Sequence, residues 1–248
     1  MLTGEQYLSS LDDGRLTYFE GHQIKDLLAE PSFETPARAI ADGYDRCYDP
    51  TPGATNPLVV APRSPQELRD RAETIHTMDL ALNVTYQSLM TLLTAAPRLK
   101  GVDPVYKDRL QAYVDDAIVA DVRIAECITD AKGNRSQPPA RQSDPDAYVH
   151  VVDRRRGGVV IRGAKLHISA ASLCHDLLVM PTKAMKPGED DYSITCAVPV
   201  SSPGVRIINT TYHPKGDDIR HFPVSSRVSM PDGFVIFDDV PVPMYFST

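Results

Sequence analysis

Apolar positions recur at helical spacing through the first half of the chain and at every second position through much of the second half. Thr3-Gly4-Glu5-Gln6 has the form of a capping box, and Tyr7, Leu8 and Leu11 follow on one face, which predicts a short first helix. Arg15 to Ile24 reads as a small hairpin turning at Glu20-Gly21-His22. A helix is expected from Phe33 to Tyr48, where Ala37, Ile40, Ala41, Tyr44 and Tyr48 share a face and Pro50 and Pro52 block continuation. The strongest start signal is Ser64-Pro65-Gln66-Glu67: an N-cap hydroxyl, a proline where the amide is unpaired anyway, and an acid in the first turn. Leu68, Ala72, Ile75, Met78, Leu82, Leu89, Leu92 and Leu93 then run to Pro97 without a breaker, predicting one helix of about 30 residues. Asp103-Pro104 opens another, with Leu110, Tyr113, Val114, Ala117, Ile118, Val122 and Ala125 facing inward, and the two long helices are expected to lie antiparallel.

Residues 126–146 lose this periodicity and carry Gly133 and paired prolines, so they read as a long loop. Beyond it the period becomes two. Tyr148, Val149, Val151 and Val152 lead to a turn at Gly157-Gly158 and on to VVIRGAKLHIS, with further strands in LLVMPT, YSITCAVPV, GVRIINTTYH and GFVIFDDVPV. Helices followed by strands, without β-α-β alternation, define an α+β chain. The expected domains are a helical one over 1–140 and a β domain over 141–248.

Composition narrows the function classes. With 26 Lys+Arg against 33 Asp+Glu the net charge is −7, which disfavours a nucleic-acid or anionic-membrane surface, since a phosphate lattice needs a basic face. No apolar run reaches the roughly 18 residues of a membrane-crossing helix. The N-terminus has neither a basic region nor an apolar core of a signal peptide, so a cytoplasmic protein is expected. Cys47, Cys127, Cys174 and Cys196 are far apart in sequence and form no CxxC or Cys/His cluster, so no metal site is expected. GxGxxG, GxxxxGK[ST], HExxH and GxSxG are all missing. The adjacent acids at Asp12-Asp13, Asp115-Asp116, Asp190-Asp191, Asp217-Asp218 and Asp238-Asp239 point to different faces of any regular element and read as caps and solvated faces.

Four segments carry something less generic: MLTGEQYLSSL at the N-terminus, ITDAKGNRSQPP in the loop, GGVVIRGAKLHISAASLCHDLLVMPT, and FPVSSRVSMPDGFVIFDDVPVP near the end. In these the sequence resembles the 4-hydroxyphenylacetate 3-hydroxylase family, the flavin-using group that also contains 4-hydroxybutyryl-CoA dehydratase. The resemblance implies an acyl-CoA-dehydrogenase-like fold: an N-terminal helical domain, then an antiparallel β-barrel-like domain, here without the C-terminal helical bundle with which relatives continue.

It also implies a site. Ile128 and Thr129 match loop positions facing the isoalloxazine of FAD; Lys132, Gly133, Asn134 and Arg135 match the stretch along the ring and ribityl chain; Ser169 matches a hydroxyl on the strand against the ring. A polar, Gly-containing loop against a small-residue strand also suits a flavin chemically, since the ring needs hydrogen-bond partners along one edge and a flat apolar wall. The alternative is a structural loop in which Arg135 pairs with Asp130, Asp144 or Asp146. Glu126, where phenol hydroxylases of the family have a histidine, is the candidate general acid or base. The arginine and tyrosine with which those enzymes hold a phenolate fall on Ser88 and Leu92, and the dehydratase's cluster cysteines on Thr85 and Leu89, which removes iron–sulfur chemistry. Tyr86, on the same helix, is a candidate for stacking on an aromatic ligand. His167 alternates with Ser169 on one face if that strand is regular.

The expectation is therefore a flavin-dependent monooxygenase, or a component of one, using reduced FAD from a separate reductase on a small molecule other than a simple phenol. The second expectation keeps the fold without redox chemistry, as a cyclase, an isomerase or a non-catalytic partner subunit. In either case the resemblance implies a homo-oligomer, or a second chain supplying the missing helical bundle.

Overall fold

Thr3 and Gln6 close the expected capping box reciprocally: the Gln6 amide donates to Thr3 Oγ1 at 3.2 Å and the Thr3 amide to Gln6 Oε1 at 2.9 Å. They start α1 (Gly4–Ser10), the first element of a computed structural model that describes residues 1–99, 101–131, 133–211, 214, 216 and 218–244. Four longer helices follow: α2 (Pro31–Cys47), α3 (Pro65–Ile75), α4 (Leu80–Leu99) and α5 (Pro104–Ala120).

The single long helix expected from Ser64 to Pro97 is therefore two, broken at residues 76–79. Ser64 caps α3 as anticipated, accepting from the Glu67 amide at 3.1 Å. Asp79 then caps a new helix, its Oδ1 accepting from the Leu82 amide at 2.8 Å, while Arg46 holds the break by donating to the Thr77 carbonyl at 3.2 Å. Apolar spacing ran through the break, whereas the interruption depends on an aspartate that satisfies an end-of-helix amide better than it serves a helix interior. α4 also passes through Pro97 and ends two residues later. α5 opens on Asp103, whose carboxylate accepts from the Val105 amide at 3.0 Å, and closes at Asp121 in the left-handed region with φ 52°.

The chain forms two compact units. One comprises Met1–Ser10 and Ala37–Ile124; the other comprises Leu11–Pro36 and Ala125–Pro243. By contacts the units divide at Ile124/Ala125, and the early hairpin groups with the strands. In the helical unit α4 packs on α5, and Tyr7 stacks on Tyr44 at 4.9 Å between centroids.

In the β unit, β1 (Thr17–Phe19) and β2 (His22–Ile24) form the expected hairpin. Glu20 and Gly21 carry φ of 49° and 83°, the requirement of a two-residue primed turn. β3 (Ile124–Cys127), β4 (His150–Arg155), β5 (Gly158–Ser169), β6 (Asp176–Val179), β7 (Cys196–Pro199), β8 (Val205–Thr210) and β9 (Asp232–Pro243) complete two sheets. One has the order β2-β1-β8-β9-β5-β4, the other β3-β6-β7. β1/β2, β4/β5, β5/β9, β6/β7 and β8/β9 pair antiparallel, whereas β1 runs parallel to β8 with Thr17 beside Ile207. Arg15, just ahead of β1, is buried and locks this segment down: it pairs with Asp13 at 2.7 Å and donates to the carbonyls of Ser172 and Cys174 at 2.8 and 2.9 Å. The core is Val160, Ile161, Ile168, Val205, Ile207, Val235 and Phe237. Among the described residues no helix is long and apolar enough to cross a membrane.

Register in β5 shifts at two places, between Ile161 and Gly163 and between Lys165 and Ile168. At the first, Gly163 has φ 131° and a Cβ there would stand 2.6 Å from the Tyr148 carbonyl oxygen and 2.7 Å from Val149 Cα. Both the backbone region and the space require glycine. Gly163→Ala is expected to destabilise the protein by about 3 kcal/mol or more, measured as a lowered urea midpoint.

Candidate functional site

The loop that follows β3 is pinned by a buried ammonium group. Lys165, on β5, is 1% exposed, yet none of its three N–H donors is left over. It pairs with Asp130 Oδ1 at 2.5 Å and donates to the carbonyls of Ile128 and Met180, both at 2.9 Å. Thr182 completes the lattice: its hydroxyl accepts from the Asp130 amide at 3.2 Å and donates towards the Ile128 carbonyl at 2.6 Å, with Asp130 Oδ2 also in hydrogen-bond contact. The Leu166 amide holds the Thr129 carbonyl at 2.7 Å, and the Met180 amide holds that of Cys127 at 3.2 Å. Residues 127–130 therefore lie clamped between β5 and the segment after β6, and Asp130 forms an isolated bridge with Lys165. Tyr148, Met180, Met185 and Tyr192 line a shallow surface depression beside this pair.

The expected cofactor positions distribute around this clamp. Ile128 and Thr129 are half-buried on it, with carbonyls committed to the lattice, whereas the Thr129 hydroxyl takes no part in it among the described residues. Gly133 lies against Gln142, with a Cβ there falling 2.2 Å from Gln142 Oε1. Gln142 also bridges the turn, accepting from the Asn134 amide at 2.8 Å and donating to the Asn134 carbonyl at 2.9 Å. The Asn134 side-chain oxygen is occupied by the amide and hydroxyl of Ser136. Arg135 is exposed, and the pairings considered for it are not observed: Asp130 pairs with Lys165, Asp144 caps the Asp146 amide, and Asp146 faces His150. Lys132 lies outside the described residues. Glu126 is half-buried on β3. Ser169 is exposed and donates its proton to Asp232 Oδ1 at 2.6 Å, which leaves its oxygen as an acceptor. The strand carrying it is not regular: His167 has φ 57° and sits in the second bulge of β5, so simple alternation with Ser169 fails.

Sequence reading missed both Lys165 and Thr182, because a lysine inside a strand has no motif to announce a buried partner. It also treated the cysteines as scattered, whereas Cys127 feels the thiols of Cys174 and Cys196. Burial pushes the Cys127 thiol far up and that of Cys196 up to about 12, so both are protonated and unreactive at neutral pH. Among the described residues no group of His, Cys, Asp and Glu is arranged to hold a metal ion.

In the helical unit, Ser88 and Leu92 share the buried face of α4 with Leu82, Leu89 and Ala96. Thr85 is on this face too, its hydroxyl donating to the Ala81 carbonyl at 2.7 Å and accepting from the Ile124 amide at 2.9 Å. Tyr86 points elsewhere: the Arg71 guanidinium covers one side of its ring at 3.2 Å from the centroid, which closes that side to stacking. At the head of α4, Asp79 approaches α2 at Gly43, where a Cβ would stand 2.3 Å from its Oδ2. Burial raises the Asp79 carboxyl above its ordinary 3.8, against the opposing charge of Arg123 and the capping amides. Arg123 itself is fully buried, with Asp121 Oδ1 at 3.4 Å and the Tyr44 ring at 3.7 Å.

A helical unit and a β unit, with the clamped loop leaving β3, make an α+β architecture of the acyl-CoA-dehydrogenase-like kind. The family described as 4-hydroxyphenylacetate 3-hydroxylase, N terminal, matches residues 3–245, and the chain belongs to it. The chain is 26% identical over 262 residues to the 4-hydroxyphenylacetate 3-monooxygenase oxygenase component of Geobacillus sp. (strain PA-9), covering 97% of this chain and 53% of that protein. It is 25% identical over 272 residues to the 4-hydroxybutyryl-CoA dehydratase/vinylacetyl-CoA-Delta-isomerase of Clostridium aminobutyricum, with 98% and 54% covered. A crystal structure of the oxygenase component of 4-hydroxyphenylacetate 3-monooxygenase complexed with FAD superposes with a TM-score of 0.83 at 24% identity, over 99% of this chain and 54% of that one. The chain spans about half the length of the curated relatives it matches.

The Asp79 environment carries a pH signature. A carboxyl that holds its proton more tightly folded than unfolded costs stability as pH rises from its unfolded value towards its folded one. Asp79→Asn keeps a good helix cap and carries no charge. Denaturation midpoints measured from about pH 4 to neutrality are expected to fall less steeply for Asp79→Asn than for the parent.

Proposed function

We propose that the chain is the flavin-facing part of an FAD-dependent monooxygenase component acting on a small molecule. The observation that carries this reading is the clamp on residues 127–130, which immobilises the backbone of the loop expected to meet the cofactor in a chain of this family. It is supported by the FAD complex of the solved structural neighbour and by the naming of the Geobacillus relative as an oxygenase component. Bound FAD, delivered reduced by a separate reductase, would supply the electrons that activate O2 for insertion of one oxygen atom.

The residues present suit that group. The Thr129 hydroxyl is uncommitted and can donate or accept. Ser169, having given its proton to Asp232, offers an acceptor, the kind of partner that the imide N–H of a flavin requires. The Asn134 oxygen is spent on Ser136, and its two N–H donors, which meet no acceptor among the described residues, remain for a ligand. Arg135 presents an exposed guanidinium from the same turn, and Glu126 is the group in this stretch that can hold or move a proton. The substrate assignment rests on Ser88 and Leu92, which offer a phenolate neither a charge nor a phenol group. The Geobacillus relative is named for a phenol, so simple phenols belong in the test.

The second reading, a redox-free or non-catalytic role for the same fold, draws on Ser169 and Asn134 being tied to Asp232 and Ser136. Titration of the purified chain with oxidised FAD and, anaerobically, with reduced FAD decides between them. Saturable quenching of flavin fluorescence, or a perturbed spectrum of the reduced form, is expected; no binding in either state would refute the flavin reading. Hydroxylation of 4-hydroxyphenylacetate in the presence of reduced FAD would refute the exclusion of simple phenols alone.

A further inference from the structure

We propose that Lys165, Asp130 and Thr182 form a positioning network that sets the affinity of the flavin-facing loop, with none of the three needing to touch the cofactor. This rests on the flavin reading above. A buried ion pair is an inefficient way to stabilise a fold, because desolvation consumes most of the Coulombic gain and an apolar pair of similar volume packs as well or better. This pair does something an apolar pair cannot. Its ammonium reaches two separate segments at once, through the carbonyls of Ile128 and Met180, while the carboxylate fixes the third donor.

All three donors are consumed inside the clamp, so Lys165 has none left for a ligand. Its influence must pass through the backbone it holds. With Asp130 turned inward, period-two alternation directs the neighbouring Thr129 side chain to the opposite face of the segment. Thr182 sets the other end: it takes the Asp130 amide and meets the Ile128 carbonyl, so one hydroxyl fixes the orientation of two peptide groups that bracket Thr129. A loop held this way loses little freedom when a ligand binds, and that preorganisation appears as affinity.

The test compares Thr182→Val, which keeps the shape and removes the hydroxyl, with Thr182→Ser, which keeps the hydroxyl; Asp130→Asn and Lys165→Arg probe the charged pair. The readouts are the FAD dissociation constant by fluorescence quenching, hydrogen exchange of the Thr129 and Ala131 amides in FAD-free protein, and thermal melting. For Thr182→Val a rise in Kd of about threefold to tenfold is expected, the equivalent of one lost hydrogen bond. Exchange at Thr129 and Ala131 is expected to quicken, and Thr182→Ser to restore both values. Asp130→Asn should follow Thr182→Val in Kd. Should Lys165→Arg fail to fold, the two threonine variants still decide. Folded Thr182→Val and Asp130→Asn proteins that bind FAD within twofold of the parent would overturn the proposal while leaving the flavin reading intact. A parent chain that binds no FAD overturns the flavin reading, a result that the variants cannot mimic.

Discussion

The β unit is organised around the ammonium of Lys165. Removing a lysine from water is costly unless every donor finds an acceptor, and here the acceptors come from three places: a carboxylate at Asp130, a carbonyl in the loop and a carbonyl beyond β6. That requirement dictates that β5, the loop at residues 128–130 and the segment at Met180 to Thr182 meet at one point. The three-stranded sheet feeds two of these, since β3 runs into the loop and β6 into Met180. The candidate site is thus a consequence of how one charge is satisfied.

Arg15 solves a related problem elsewhere in the same unit. Its guanidinium neutralises Asp13 and caps the carbonyls of Ser172 and Cys174, which ties the segment before β1 to the turn after β5. β1 then lies beside β8 in a parallel ladder. In the helical unit Arg123 plays the comparable part, buried between Asp121 and the Tyr44 ring.

Much of the local structure was legible in residue pattern alone. The caps at Thr3, Ser64 and Asp103, the turn at Glu20-Gly21 and each β element beyond residue 147 follow from short-range rules of hydrogen-bond satisfaction and period. The break at residues 76–79 was legible in principle, since Asp79 precedes Leu80-Ala81-Leu82 as a cap precedes a helix, but continuous apolar spacing outweighed one polar residue. The loop over residues 126–146 was identified by its lack of period and by resemblance, although its first two residues close β3. What Asn134, Ser136 and Gln142 do within it depends on a turn that brings residues eight apart in sequence together.

The sequence by itself determined the α+β class, the family and most of the individual elements, because periodicity, capping and segment resemblance are local properties of the chain. Only the tertiary structure decided that residues 11–36 join the β unit, that Cys127 and Cys174 are buried, and that Lys165 meets Asp130. These outcomes depend on desolvation and hydrogen-bond satisfaction across long sequence separations. A lysine in an alternating strand has the same one-dimensional signature whether it faces water or a carboxylate in the core, and only the fold assigns it the second.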